Sequence, residues 1–241
     1  MRQIIDRMEM AMGSYRVQYS DFLDPYELSL ALSLSHHLPD LEVKFSGGYP
    51  GAERQIMAFA PDFFDFSAEE GLALVLIESK EEALSHREVL GSILGLGISR
   101  NRIGDIKIEG HKATLVLKRE LKDFILLHLK KVGRHRVLVR DLEGVDFKPP
   151  EDTWLERGTT VSSPRLDALV SAFYNLPRKE TKAAIERGLV KVDFREETRP
   201  SYLVEEGALI SLRGGGRRAY LKKEGQTRKG RYHITYGVLK D

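Results

Sequence analysis

The sequence predicts an α+β protein built from three modules, and three observations carry that expectation. The middle of the 241-residue chain alternates in the order strand, helix, strand, strand, helix, strand. A rigid polar stretch, Lys148-Pro149-Pro150-Glu151-Asp152, then breaks the hydrophobic pattern. Charge changes sign across it: residues 157–241 hold 18 Lys plus Arg against 10 Asp plus Glu, a net of +8. Residues 1–156 hold the remaining 20 against 26, a net of −6, so the overall +2 conceals a strongly polar molecule. Asymmetry of this kind points to a polyanion as partner of the basic end.

Residues 1–70 are expected to form an N-terminal mixed α/β module. Ile4, Ile5, Met8 and Met12 suit one helical face, and Asp24-Pro25-Tyr26-Glu27 reads as a cap with Pro at the first turn of a second helix. Leu41-Glu42-Val43-Lys44-Phe45 alternates as a strand, runs into Ser46-Gly47-Gly48-Tyr49, and returns over 55–60. Residues 71–147 then place a strand at Leu74–Ile77, a helix at His86–Leu96, and two strands turning at Glu109-Gly110-His111. A second helix is expected over Glu120–Lys131 and a last strand over Arg136–Val139. That order is the ferredoxin-like one, shared by RNA-recognition (RRM-like) modules. The aromatic-rich strands with which such modules stack bases are missing, so the order alone does not license base stacking. Residues 148–161 are expected as a linker.

The last module, 162–241, opens with Ser163 as N-cap and Pro164 at the first helical position. Leu166, Leu169, Val170 and Phe173 follow at helical spacing. Leu176-Pro177-Arg178-Lys179 restarts a second helix that ends at Gly188, a residue suited to a helix C-terminus. Val190 to Phe194 alternates as a strand, and 204–213 reads as a turn feeding another. Arg213 to Arg231 carries eight basic residues against Glu224 alone and is expected as a hairpin extending the sheet, with Gly214-Gly215-Gly216 as its bulged start. Tyr220, Tyr232 and Tyr236 interleave with these charges, and rings so placed suit stacking on unpaired bases.

This module resembles the S4 RNA-binding domain. Arg165-Leu166-Asp167, Arg178, Gly188, Val190-Lys191-Val192 and Gly207 stand where the S4 motif has its helix starts, helix end, strand and turn. Asp193 replaces the usual Asn, and Ala208 the usual acidic residue, and neither change removes a basic group. The candidate RNA-binding residues are Arg165 on the first helix, Arg178, Lys179 and Lys182 on one side of the second, and Arg213, Arg217, Arg218, Lys222 and Lys223 on the basic strand. Arg100 and Arg102, in the basic loop 99–105, are a secondary candidate contact.

Chemistry is sparse by comparison. Zero cysteines exclude a disulfide scaffold, thiol catalysis and cysteine-ligated zinc. The seven histidines, His36-His37, His86, His111 and His135 among them, lack metal-ligand spacing and suit surface or capping roles. Gly91-x3-Gly95-x-Gly97 lies at a helix end, with Arg100 where a nucleotide loop would need a further Gly. After Arg165-Leu166-Asp167 the chain runs Ala168-Leu169-Val170-Ser171, unlike the Thr-Ser-Gly continuation of pseudouridine synthases. Neither a synthetase ATP motif nor a methyltransferase glycine loop is present. The chain is therefore expected to be no enzyme and to need no cofactor or metal. Met1 to Arg7 is not signal-like, and no apolar run approaches bilayer length, so a cytoplasmic place is expected.

Phe22-Leu23-Asp24-Pro25, Gly47-Gly48-Tyr49 with Glu53-Arg54, His86-Arg87-Glu88-Val89-Leu90-Gly91 and Ile103-Gly104-Asp105-Ile106 extend the likeness over the whole chain. In this order they resemble the YlmH family of bacterial S4-domain proteins. That resemblance implies a non-enzymatic protein, monomeric off the ribosome. Its implied partners are large-subunit ribosomal RNA and tRNA or peptidyl-tRNA, held during alanine tailing in ribosome-associated quality control. It gives Arg165 and Arg178 the role of gripping that RNA. The alternative is a cell-division adaptor with an accessory RNA-binding domain, suggested by the family's genomic setting and the acidic front.

Overall fold

A computed structural model describes residues 2–14, 16–35, 38, 40–149 and 154–239. The chain separates into two compact units, Met1–Pro150 and Glu151–Asp241. His36-His37 and the linker residues 150–152 lie outside the described residues.

In the first unit, α1 (Arg2–Ser14) buries Ile4, Met8 and Ala11, a stripe at spacings of four and three. Met12 packs half-buried on the same cluster, so of the expected face only Ile5, one step around the helix, is exposed. α2 (Pro25–Ser35) begins with a reciprocal cap: the Asp24 carboxylate accepts from the Glu27 N–H at 2.9 Å, and the Glu27 carboxylate from the Asp24 N–H at 2.9 Å. β1 (Gln18–Tyr19), β2 (Leu41–Ser46) and β3 (Ile56–Pro61) form an antiparallel sheet in the order β1-β3-β2. Every residue of central β3 is buried, which explains its unbroken apolar run.

The middle of this unit follows with β4 (Leu72–Ser79), α3 (His86–Gly95), β5 (Ile103–Glu109), β6 (Lys112–Lys118), α4 (Lys122–His128), β7 (Lys131–Val132) and β8 (His135–Asp141). The antiparallel sheet order β5-β6-β4-β8-β7 is the ferredoxin-like arrangement with one short edge strand added. α4 is shorter than the expected 120–131. Residues 119–121 form a 3-10 turn, and Leu129 leaves the helical region at φ −79, ψ 91. The freed residues make the β7–β8 hairpin, turned at Gly133 with φ 56. α3 and α4 cover one sheet face through Val89, Ile93 and Ile125 against Val75, Ile77, Leu115 and Leu117.

The other face receives the N-terminal module, and the motifs Gly47-Gly48-Tyr49, Glu53-Arg54 and Gly104-Asp105 make the joint. The Asp105 carboxylate accepts from the Tyr49 hydroxyl at 2.5 Å, the Glu53 N–H at 2.8 Å and the Arg54 N–H at 3.1 Å. Arg54 donates to the carbonyls of Ile103 at 3.2 Å and Phe22 at 2.9 Å. Phe22, Tyr49, Ala52 and Ile56 pack on Leu72, Leu74 and Val116. Gly104 is required there, since a Cβ would stand 2.6 Å from the Phe22 ring. Lys118, 5% exposed, donates to the Ser20 carbonyl at 2.7 Å, and burial, assisted by Arg7, pushes its pKa down to about 8.

The second unit begins earlier than the sequence suggests. Residues expected as linker up to 161 contain β9 (Trp154–Val161), paired along its whole length with β14 (Tyr232–Leu239). As an edge strand it exposes most of both faces, so its alternation is muted. Helix α5 (Leu166–Tyr174) is capped by Arg165 in an extended conformation, two residues later than expected. Pro164 is held outside the helix because its carbonyl accepts from the Val204 N–H at 2.9 Å. α6 (Arg178–Glu186) follows, then β10 (Val190–Val192), β11 (Arg195–Glu196), β12 (Leu209–Leu212) and β13 (Gly216–Gln226). The expected strand to 194 stops at Val192. Asp193 and Phe194 have φ 47 and 67, forming a two-residue hairpin turn in which Asp serves where Asn is usual. The six strands order as β11-β10-β12-β13-β14-β9, and α5 and α6 seal the face bearing Val192, Ile210, Tyr220, Ile234 and Tyr236.

Asp105→Ala strands the Tyr49 hydroxyl and two backbone N–H groups, so unfolding free energy falls by about 2–4 kcal/mol. Urea titration checks this, and Asp105→Asn, which keeps an acceptor, loses less.

Candidate nucleic-acid interface

The basic residues of the second unit sit on three elements. Arg165 occupies the N-cap of α5 and is held by Asp167: Nε to Oδ1 at 3.1 Å and the guanidinium to Oδ2 at 3.2 Å. Arg165 is 43% exposed and Asp167 14%, so the guanidinium is aimed while keeping solvent-facing donors. The hydrogen bonds it donates to Asp167 raise its pKa further, and it stays charged throughout. The loop 197–204 seats this helix start. The Leu166 N–H donates to the Tyr202 carbonyl at 2.8 Å and the Asp167 N–H to the Pro200 carbonyl at 3.0 Å. The loop itself is braced by Arg199, which grips Glu197 at 2.8 and 2.6 Å and lies 5.2 Å from the Tyr202 ring centre.

Arg178 and Lys179 lie in the first turn of α6, both exposed and without a partner among the described residues. Cations there oppose the helix dipole. Pro177 offers no side-chain cap, so the first-turn N–H groups also face outward. Dipole, N–H groups and two cations together suit a phosphate. Lys182 shares this side but reaches Glu186 at 3.8 Å. Arg165 precedes α5 and Arg178 opens α6, so the two basic groups stand at the starts of successive helices.

The basic strand is divided by its own backbone. Tyr220 pairs with Tyr236, but Lys222 pairs with Thr235 and Lys223 with Ile234, so one extra residue, Leu221, is bulged. Paired residues share a face. Arg218 and Lys223 therefore lie on the helix side with buried Tyr220 and Ile234, while Arg217 and Lys222 lie on the outer side. The four residues thus stand on two faces of the strand. Arg218 stacks 4.8 Å from Tyr174, whose hydroxyl donates to the carbonyls of Ile210 and Gly216, each at 3.0 Å. Burial pushes the Tyr174 pKa up to about 12. Lys223 covers Tyr232 at 5.3 Å, and Arg217 lies over Phe194 at 5.6 Å. Lys222 meets Glu224 at 3.3 Å, and Arg213 is exposed in the glycine turn. Tyr220 and Tyr236 are 1% and 7% exposed and pack on Phe173, so they are core residues rather than base-stacking rings. Tyr174, Tyr232 and Phe194 are the rings that lie under the charges. Phe194, expected at the end of a strand, is half-buried in the turn beside Asp193.

The secondary contact expected in the first unit is engaged elsewhere. Arg100 donates to the carbonyls of Ile103 at 2.6 Å and Gly104 at 3.1 Å, and Arg102 pairs with Glu120. Among the described residues, no cluster of His, Asp and Glu is arranged to hold a metal, and no helix is long and apolar enough to cross a membrane.

Comparison with known proteins agrees with this architecture. Residues 1–63 match the family described as "YlmH, N-terminal", residues 63–146 "Putative RNA-binding domain in YlmH", and residues 164–210 "S4 domain". A relative from Bacillus subtilis (strain 168), named ribosome-associated protein quality control protein P2, is 31% identical over 239 residues, covering 97% of this chain and 92% of its own. The chain belongs to the YlmH family. A solved structure described as cell division protein ylmH from Streptococcus pneumoniae shares the fold, with TM-score 0.53 at 22% identity over 58% of this chain and 87% of that one. The family's S4 and middle domains support RNA binding, and the S4 match covers the helix starts that carry Arg165 and Arg178.

Glu197 is held at a pKa of about 2, chiefly by its hydrogen bonds from Arg199. A depressed carboxylate pKa contributes stability above the ordinary value near 4.5, and that contribution disappears as pH falls toward 2. Thermal midpoints of wild type and Glu197→Gln therefore differ at pH 7 and converge through this window.

Proposed function

We propose that this protein clamps structured RNA on the large ribosomal subunit and holds peptidyl-tRNA while alanine residues are added to a stalled chain. The observation that carries this reading is the pair of helix starts in the S4 domain, where Arg165 is aimed by Asp167 and Arg178 stands with Lys179 in an uncapped first turn. Arrangements of this type grip phosphates and read RNA by shape. The name of the Bacillus relative, which speaks of ribosome-associated quality control, supports the setting. The protein acts as a holder rather than a catalyst in this reading, with ribosomal RNA and tRNA as its partners.

Arg165→Ala combined with Arg178→Ala abolishes co-sedimentation with large subunits while the far-ultraviolet circular dichroism spectrum stays that of the wild type. Undiminished co-sedimentation of the folded double variant would overturn the assignment. On the basic strand, Arg217→Gln plus Lys222→Gln weakens different RNAs about equally and flattens the log–log salt slope of binding by about 1.4–1.8, two phosphates at roughly 0.7–0.9 each. Arg218→Gln acts differently: it removes the cation over Tyr174, so its effect falls on the thermal midpoint.

A further inference from the structure

The first unit is acidic overall, yet residues 122–140 hold Lys122, Lys130, Lys131, Arg134, Arg136 and Arg140 against Asp123 alone, a net of six minus one, or +5. The fold concentrates most of this on the β7–β8 hairpin. Lys131 and Arg136 are direct partners across the two strands, both exposed, with no hydrogen bond or ion pair among the described residues. Like charges directly opposite on a sheet are destabilising. At the turn Arg134 meets Glu82 at 3.5 Å, but among the described residues no acid stands against Lys131 or Arg136, and a hairpin that keeps this pair is arranged for an external anion.

The surroundings match. Alternation along β8 puts Arg136, Leu138 and Arg140 on one face, and the register with β4 adds Leu76 and Glu78. Lys112, opposite Glu78, extends the strip. Glu78 serves both Arg140 at 3.3 Å and Lys112 at 3.5 Å, so one carboxylate faces two cations. This is the sheet face that RNA-recognition modules offer to bases, but its β5-β6-β4 end is closed by Phe22 against Gly104 and by Gly48 against Leu74 and Val116. The face left open toward β8 and β7 is cationic and without rings. Such a surface holds backbone phosphates and lacks a platform for unpaired bases.

We infer that the β7–β8 edge of the middle domain, through Lys131 and Arg136 flanked by Arg134 and Arg140, is a second RNA site that binds the phosphate backbone of an A-form duplex. The inference rests on the RNA-binding reading of the S4 domain, because a second weak site gains from tethering to the same polyanion. It gives the middle domain a contact surface other than the covered part of its sheet.

The test uses the full chain and a fluorescein-labelled RNA duplex of about 16 base pairs, the span that shape-reading modules contact. Binding is measured by anisotropy across a salt series, with polyglutamate as competitor. Lys131→Gln plus Arg136→Gln lowers the log–log salt slope by about 1.4–1.8. The same decrement appears in the background of Arg165→Ala plus Arg178→Ala, and the thermal midpoint is at least that of wild type, since an opposed like-charge pair has been removed. An unchanged slope, with RNA binding still weakened by the S4 variant, overturns this inference and leaves the proposed function standing. No duplex binding by the wild type overturns both. A lowered midpoint makes the pair a structural element and overturns the assignment. Polyglutamate competition that is stronger than RNA competition and lost in the Gln variant makes the partner an acidic protein, which also overturns it.

Discussion

The buried side of the first unit turns on the Asp105 carboxylate. It stands on β5 of the middle domain and collects three donors from the loop 49–54 of the N-terminal module. Arg54, whose backbone N–H is one of these donors, returns the connection through its side chain to Ile103 and Phe22. A half-buried carboxylate with this many donors is fully satisfied, whereas its removal leaves those donors without a partner. The glycines beside it, Gly48 and Gly104, allow the two layers to approach within ring-to-backbone contact. Lys118 and Ser20 repeat the connection nearby. The two front modules are thus one mechanical body, although each has its own sheet.

That joint decides how the middle domain can meet RNA. The ferredoxin-like sheet has two faces: helices occupy one, and the N-terminal module occupies much of the other. The family motifs around Gly47, Glu53 and Asp105 serve packing. In the second unit the sheet is sealed by α5 and α6 on one face, and the exposed helix starts take the role of the contact surface. The second unit keeps Phe173, Tyr220 and Tyr236 inside and presents charge, an arrangement for holding a polyanion by shape and phosphate spacing.

Much of this was legible in the sequence, and the misses have physical causes. Alternation and helical spacing located the middle β-α-β-β-α-β unit and the S4 helices, because each element there has one buried face. β9 was hidden because an edge strand with two exposed faces carries little hydrophobic period. The N-cap of α5 was misplaced because a backbone bond from Val204, distant in sequence, captures Pro164. Tyr220 and Tyr236 looked like stacking rings beside basic neighbours, yet alternation puts them against Phe173. Arg100 and Arg102 looked free, and local carbonyls and Glu120 absorb them. The Lys131–Arg136 opposition was invisible because α4 was expected to run to 131, which left no hairpin to bring them across from each other.

The bulge at Leu221 has a consequence for how charge is distributed on the long hairpin. In an unbulged ladder, Arg218, Tyr220 and Lys222 would point one way and Arg217, Leu221 and Lys223 the other. The extra residue at Leu221 resets the parity of the strand up to a second register shift after Lys223, so that Lys223 joins Arg218 over the rings and Lys222 joins Arg217 outside. Which side of the ribbon is decorated is therefore a matter of counting along the backbone, independent of which basic side chain stands at each place. Deleting Leu221 would leave Lys222 opposite Thr235 and Lys223 opposite Ile234 and only straighten the ladder. A residue added opposite Leu221, between Thr235 and Tyr236, would instead turn Lys222 toward the helix side and Lys223 outward without altering a single charge.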